Sequence, residues 1–369
     1  MADERFLYTG LPSRVLFGAG TLASVRGEAE RLAMSRALVL TTPPQIDHGR
    51  HVAALLGDRA AGVFNGAVMH TPIEVTREAL AAVRQLGADG VVAIGGGSTI
   101  GLGKAIAVRT GLPQLAIPTT YAGSEMTPIL GETEAGIKTT RRSLDILPEA
   151  VIYDVDLTLG LPAALSGTSG INAIAHAVEA MYAEDANPII ATLAEQGIAA
   201  LARALPVIAG SPADRTARRD ALYGAWLCGV CLGSVGMSLH HKLCHVLGGS
   251  FDLPHAETHT VILPHAVAYN APAAPQAMAR IASALGASDA ATGLYELAGQ
   301  VGAARSLAAL GMSAEGLDRA AELAVAHPYW NPQPLERAAI RALLERAFTG
   351  AAPPRSPNLR GPHARLATH

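Results

Sequence analysis

Gly90-Val91-Val92-Ala93-Ile94-Gly95-Gly96-Gly97-Ser98-Thr99 is the stretch on which the fold turns. A short apolar, β-prone run leads into three glycines, and a helical period then opens through Gly101, Gly103, Lys104 and Ala105. Such a strand–turn–helix presents backbone N–H groups at the positive end of a helix dipole, an arrangement that suits a pyrophosphate. Glycine is needed there because a Cβ would block close approach of the phosphate oxygens. The pattern is not GxGxxG, and no acid follows about 20 residues later to hold a ribose. Taken alone, the stretch suits a tight strand–helix turn as well as a phosphate site.

Working outward, the same alternation recurs. Arg14–Phe17, Ala37–Leu40, Gly62–Phe64 and Gln114–Ile117 read as further strands, and Thr71-Pro72-Ile73-Glu74 opens a helix that runs to Leu86. Strands alternating with helices imply a parallel sheet covered on both faces. Residues 128–140 read instead as a hairpin, and Val151-Ile152-Tyr153 as the last strand. Beyond Leu161-Pro162 the β signal ends, and long Ala/Leu periods cover 169–182, 188–208, 213–233 and onward through Arg346. The fold class expected is α/β: a Rossmann-like dinucleotide-binding domain at 1–160, an all-helical catalytic domain at 161–350, and a loose tail at 351–369 containing Pro353, Pro354, Pro357 and Pro362.

A second polar segment, Ile117-Pro118-Thr119-Thr120-Tyr121-Ala122-Gly123-Ser124-Glu125, follows the next strand on the same carboxyl edge, where ligands bind in open α/β sheets. Thr120 or Ser124 would also serve as a helix cap. The two loops together point to a nucleotide. At the exit of the second strand, Thr41-Thr42-Pro43 carries no acid to repel a 2′-phosphate and no arginine to attract one, so NADH is expected, with NADPH tolerated.

Composition narrows the partners. With 369 residues, half of them hydrophobic and 16% charged, the chain can bury two cores. A net charge of −3 gives no field for nucleic acid or acidic lipid, so any anion site is built locally. No apolar run reaches about 18 residues and the first residues lack a signal-peptide pattern, which leads to the expectation of a cytoplasmic protein with no membrane partner. Cys228 and Cys231 form a CxxC inside apolar helical sequence and read, with Cys244, as core thiols.

Six of the 13 histidines lie between His240 and His265. His241 and His245 share a helix face, His255 and His259 follow one turn apart, and upstream Asn172 and His176 are also four apart. Histidines converging from three helices point to an active site. Three imidazoles could hold a divalent metal, but neutral Asn172 is a poor fourth ligand. His70, in Val68-Met69-His70-Thr71-Pro72, either faces the cleft or serves helix entry.

Jointly, the glycine loop, Pro118–Thr127, Gly170-Ile171-Asn172-Ala173-Ile174-Ala175-His176-Ala177-Val178-Glu179, His240–Phe251 and Pro254–Thr260 resemble the iron-containing alcohol dehydrogenase superfamily, from about Gly10 to Arg346. The resemblance implies that superfamily's architecture, shared with dehydroquinate synthase-like proteins, and a reaction in the interdomain cleft. It implies NAD(P)H on Gly95, Gly96, Gly97 and Ser98, with Thr119, Thr120 and Ser124 beside it, Thr41 at the second strand's exit, and Lys138 near the nicotinamide ribose. Metal-dependent members use an aspartate and three histidines; carried over, the positions are Asn172, His176, His241 and His255.

The missing aspartate turns the expectation toward members that need no metal and reduce a carbon–carbon double bond conjugated to a ketone. Such a reduction builds an enolate, which imidazolium or ammonium donors can stabilise. The substrate implied is a small dianionic oxo-acid, for which His176, His241, His245, His255 and Lys242 are the local cations, with neutral Asn172 a further catalytic-site candidate. A homodimer is implied too. The rival readings are a metal-dependent alcohol dehydrogenase of the same fold, a lyase-type relative and a non-catalytic nucleotide sensor.

Overall fold

A computed structural model of the chain describes residues 5–355, apart from residues 136 and 328. The first half carries strands β1 (Arg14–Gly18), β2 (Ala37–Leu40), β3 (Ala60–Phe64), β4 (Gly90–Gly95) and β5 (Gln114–Pro118). The hairpin β6 (Ile129–Glu134) and β7 (Ile137–Arg142) comes next, then β8 (Ala150–Asp154). Helices α1 (Val25–Arg31), α2 (Ile46–Leu56), α3 (Ile73–Leu86) and α4 (Gly97–Thr110) connect them.

Six strands form one parallel sheet in the order β1-β8-β5-β4-β2-β3, while β6 and β7 pair separately. Alternation along β4 explains its place near the middle. Val92 and Ile94 pack with β2, β5 and α1 on one face; Val91 and Ala93 pack with α3 and α4 on the other. Register sets Ile94 beside Ile117 and Gly95 beside Pro118, so the glycine loop and the loop after β5 leave the sheet level with each other. Chain direction across the sheet reverses between β2 and β4, and the crevice at such a switch point is where open α/β sheets take ligands.

The helical half comprises α5 (Ala163–Ala180), α6 (Pro188–Gly210), α7 (Arg215–Ser234), α8 (Leu239–Phe251), α9 (His255–Asn270), α10 (Pro275–Leu285), α11 (Ala290–Gln300), α12 (Gly316–Val325) and α13 (Arg337–Thr349). Every residue of α5 from Ser166 to Ala180 is buried, because α6, α7 and α9 surround it. A helix that is apolar over most of its surface belongs at a core; among its buried polar residues, Ser169, Asn172, His176 and Glu179 share one face. This helix starts six residues before the expected one. Ser166-Gly167-Thr168 is poor helix sequence, yet buried Arg218 donates to Ser166 Oγ (2.7 Å) and to Leu161 O (2.8 Å), holding the first turn in place.

All three cysteines are buried and unpaired. Among the described residues no single helix is long and apolar enough to cross a membrane. Of the tail expected at 351–369, residues 356–369 lie outside the described ones.

Candidate active site

The glycine loop after β4 is built from backbone. Gly95 has φ +153, and a Cβ there would stand 2.4 Å from Thr99 Oγ1, so only glycine fits. A Cβ on Gly96 would come 3.1 Å from Thr120 Cγ2, which seats the two loops against each other. A Cβ on Gly97 would meet nothing within 4 Å, so a side chain there would project into the open mouth of the loop. Helix α4, like α3, α5, α8 and α9, has no side-chain cap. Its first-turn amides, with half-buried Ser98 among them, are therefore suited to an anion.

Two expected cofactor residues, Thr41 and Ser124, have their side chains engaged within the protein, and a third, Lys138, is described only in its backbone. Thr41 is fully buried and its hydroxyl donates to Gln45 O (3.2 Å), so Thr42 and Gln45 form the rim at the β2 exit instead. Ser124 is tied down by the Lys104 ammonium, which reaches both its carbonyl and its hydroxyl. Lys138 stands opposite Thr133 in the hairpin, and its side chain lies outside the described residues. Gln45, missed in the sequence, donates from Nε2 to Thr119 Oγ1 (3.0 Å) and so links the loops after β2 and β5 across the glycine turn.

The histidines converge as the helical spacing requires. His176 Nδ1 and His241 Nε2 are 2.8 Å apart; His176 Nε2 faces the Ala122 carbonyl at 3.2 Å, on the loop after β5. His241 Nδ1 meets Glu179 Oε2 at 2.8 Å. Glu179, fully buried, also accepts from the backbone N–H groups of Ser238 and His240 (2.8 Å each) at the start of α8. It stands seven residues after Asn172 and three after His176, a spacing that placed it on the same face and was overlooked.

Proton counting gives this chain a property. Its carbonyl and carboxylate ends only accept, so its three bonds require three protons, whereas two neutral imidazoles bring two. Burial holds the His176 imidazole well below its ordinary pKa, with His241 adding to the effect; the Ala122 carbonyl pulls the other way. The chain thus has one proton site more than neutral rings fill.

A cavity of about 190 Å³ opens beside these rings, with His70 and Thr133 on the α/β side and His245, Gly248, Asp252 and His255 on the helical side. His245 is exposed to it, while the His241 ring lies 6.4 Å from that of His245. His259, with its ring centroid 4.4 Å from that of His255, and His240 form a buried second row joined at 2.9 Å. Burial holds both well below the ordinary imidazole pKa. Lys242 does not belong to the cluster. One residue round the helix from His241, its ammonium lies over the Tyr329 ring at 5.8 Å.

Comparison with known proteins follows the same lines. A sequence model described as iron-containing alcohol dehydrogenase matches residues 12–155, and one for the C-terminal part of the Fe-containing alcohol dehydrogenase family matches residues 166–348. This chain belongs to the iron-containing alcohol dehydrogenase family. Within the family it is 60% identical to the maleylacetate reductase of Rhizobium sp. strain MTP-10005, over 95% of this chain and 99% of that one. Identity to the maleylacetate reductase of Burkholderia cepacia is 59%, covering 94% and 99%. The crystal structure of maleylacetate reductase from Agrobacterium tumefaciens superposes with a TM-score of 0.92 at 59% identity, covering 95% of this chain and all of that one. The chain is thus an oxidoreductase of this family, with its architecture of sheet domain and helical domain.

The family's description names iron, so the expectation that no metal is needed finds no support there. The donor set of this chain is nevertheless unsuited to it. Where the family's aspartate would stand, Asn172 offers a neutral amide whose buried Oδ1 has no hydrogen-bond partner. His176 and His241 have both ring nitrogens engaged, with each other and with Ala122 and Glu179. Among the described residues, the one trio of His, Cys, Asp or Glu donor atoms gathered within 4.8 Å is His240, Cys244 and His259, and it includes none of the expected ligands. The residues as folded do not fit a divalent ion at the family's position.

Proposed function

We propose that this protein is an NADH-dependent maleylacetate reductase, saturating the carbon–carbon double bond conjugated to the ketone and yielding 3-oxoadipate. The observation that carries the reading is the cavity walled by His70, His245 and His255, in a chain 60% identical over almost its full length to a maleylacetate reductase. NADPH is tolerated in this reading, because residues 41–46 hold neither acid nor arginine. The α4 amides, Thr119 and Thr120 would hold the dinucleotide, which supplies a hydride when bound.

Hydride addition at the carbon β to the ketone pushes an electron pair onto the ketone oxygen. An enolate results, and a proton must reach the α carbon. His245 and His255, lining the cavity, are placed to donate hydrogen bonds to that oxygen, a kind of stabilisation that does not require a Lewis acid. Behind them the Ala122–His176–His241–Glu179 chain gives a route by which a proton is held or passed. Asn172, buried on the helix face that carries His176 and Glu179, adds no negative charge to this region.

NADH oxidation with freshly generated maleylacetate tests the proposal, with and without prior exhaustive chelation. Turnover should be equal in the two arms, and Asn172→Asp should raise iron or zinc binding without raising turnover. A stoichiometric metal whose removal abolishes activity, restored only by metal, would sink the metal-free route. Turnover of simple alcohols but not of maleylacetate would favour an alcohol dehydrogenase.

A further inference from the structure

His70 lies outside the converging helices, yet it opens the one pair of consecutive non-glycine residues with positive φ among the described residues. It has φ +66 and the next residue, Thr71, has φ +44. Two consecutive non-glycine residues in the left-handed region are uncommon, and a β-branched one there is an outlier costing on the order of 1–3 kcal/mol. Glycine at either place would relieve the strain, so the side chains present are held by something other than turn geometry.

The surroundings show how this conformation is pinned. Thr133 in the hairpin donates its hydroxyl to His70 O (3.2 Å) and its N–H to Thr71 O (3.3 Å). Thr71, itself buried, sits in a notch on the nucleotide helix, where a Cβ on Gly101 would come 2.6 Å from Thr71 Oγ1. The turn is thus clamped between the cofactor helix and the hairpin. Its outward member, His70, lines the cavity from the α/β side, facing the wall that carries His245 and His255.

We propose that His70 is a specificity-determining contact to the substrate, binding one carboxylate of the dianion across the cavity from the histidines that meet its ketone. This rests on the reading of the site as one for a dicarboxylic oxo-acid. A substrate with two anionic ends needs a partner on each wall. The helical wall alone offers imidazoles on one side, with exposed Asp252 among its lining residues. The strained turn supplies the missing partner and ties its position to the helix that receives the cofactor.

The test compares His70→Gly and His70→Asn with wild type on maleylacetate and on its two singly truncated monoacids, each lacking one carboxylate. Both variants suit a left-handed backbone, so the melting temperature should hold or rise, and the dissociation constant for NADH should stay within about twofold. KM for maleylacetate should rise at least about tenfold in His70→Gly, the loss expected for one hydrogen bond to a charged group, with kcat within about threefold. On one monoacid that loss should vanish, because the carboxylate it concerns is already gone. An unchanged KM for the diacid, or equal losses on all three substrates, would overturn the assignment. A wild type inert toward maleylacetate but active on other carbonyl compounds would overturn the functional reading and this inference with it.

Discussion

The two halves of the site are made of different materials. On the sheet side the candidate cofactor cradle is mostly backbone: glycines at 95, 96 and 97, uncapped amides at the start of α4, and polar side chains that brace the loops. On the helical side it is side chain: imidazoles on α5, α8 and α9, oriented by a buried carboxylate. Backbone recognition leaves a compositional signature, since glycine is there for want of a Cβ. Side-chain recognition leaves a spacing signature, and its supporting partners come from other helices at separations that no local pattern encodes. Function on the first side should therefore respond to steric filling, and on the second to loss of a partner.

Glu179 offers the strongest way to break that comparison. Glu179→Ala would leave His241 Nδ1 without its acceptor and remove the carboxylate that accepts from three N–H groups at the head of α8, those of Ser238, His240 and His241. Removing one partner of a buried pair costs about 3–5 kcal/mol. Stability by urea titration should fall by that order, and kcat/KM by about a thousandfold, more than the roughly hundredfold expected for His241→Ala as loss of a single acid–base group. The dissociation constant for NADH should change little in either. A Glu179→Ala enzyme with near-normal turnover would show that the imidazole chain is packing and nothing more.

Steric filling sharpens the other side. A Cβ on Gly97 finds no neighbour within 4 Å, so the fold should tolerate Gly97→Val, while NADH binding weakens about tenfold or more because the side chain enters the mouth of the loop. Gly95→Val should destabilise the protein as well, given its φ and its contact with Thr99. Fluorescence titration with NADH, paired with thermal melting, separates the two. If Gly97→Val binds NADH normally, the cradle is elsewhere.

The strands were legible almost to the residue, because Val- and Ile-rich runs end at glycines or prolines that a sheet edge requires. The convergence of His176, His241, His245 and His255 was legible too, from spacings of four on helices. What was not legible depended on neighbours distant in sequence. The first turn of α5 forms against its own propensity, with Gly167 packed on Val301 and Gly170 on Leu205. Gln45 and His259 act through partners on other elements. Thr41 and Lys242 show the opposite error: proximity in sequence to a site residue was mistaken for proximity in space, when one step along a strand or helix turns a side chain away.

The smallest expected effect concerns Lys104, which sits where the two materials meet. Its ammonium is fully buried and reaches Thr127 Oγ1 (2.9 Å), Ile129 O (3.0 Å) and Ser124, bracing the second loop from behind α4. Burial lowers its pKa from 10.5 to about 7, with Glu125 opposing the shift. Between those two values the unfolded chain holds a proton that the folded protein has lost, so stability must rise with pH across that window. The three cysteines act in the opposite sense, since burial raises their thiols above the ordinary value and the unfolded chain ionises first as pH climbs toward 9. Taking the stability difference between wild type and Lys104→Met cancels the cysteines. From pH 6.5 to 8.5 that difference should grow in favour of wild type by about 2 kcal/mol. A difference that stays flat over this range would mean that the four acceptors keep Lys104 charged, and that the second loop is braced by an ammonium throughout the working range of the enzyme.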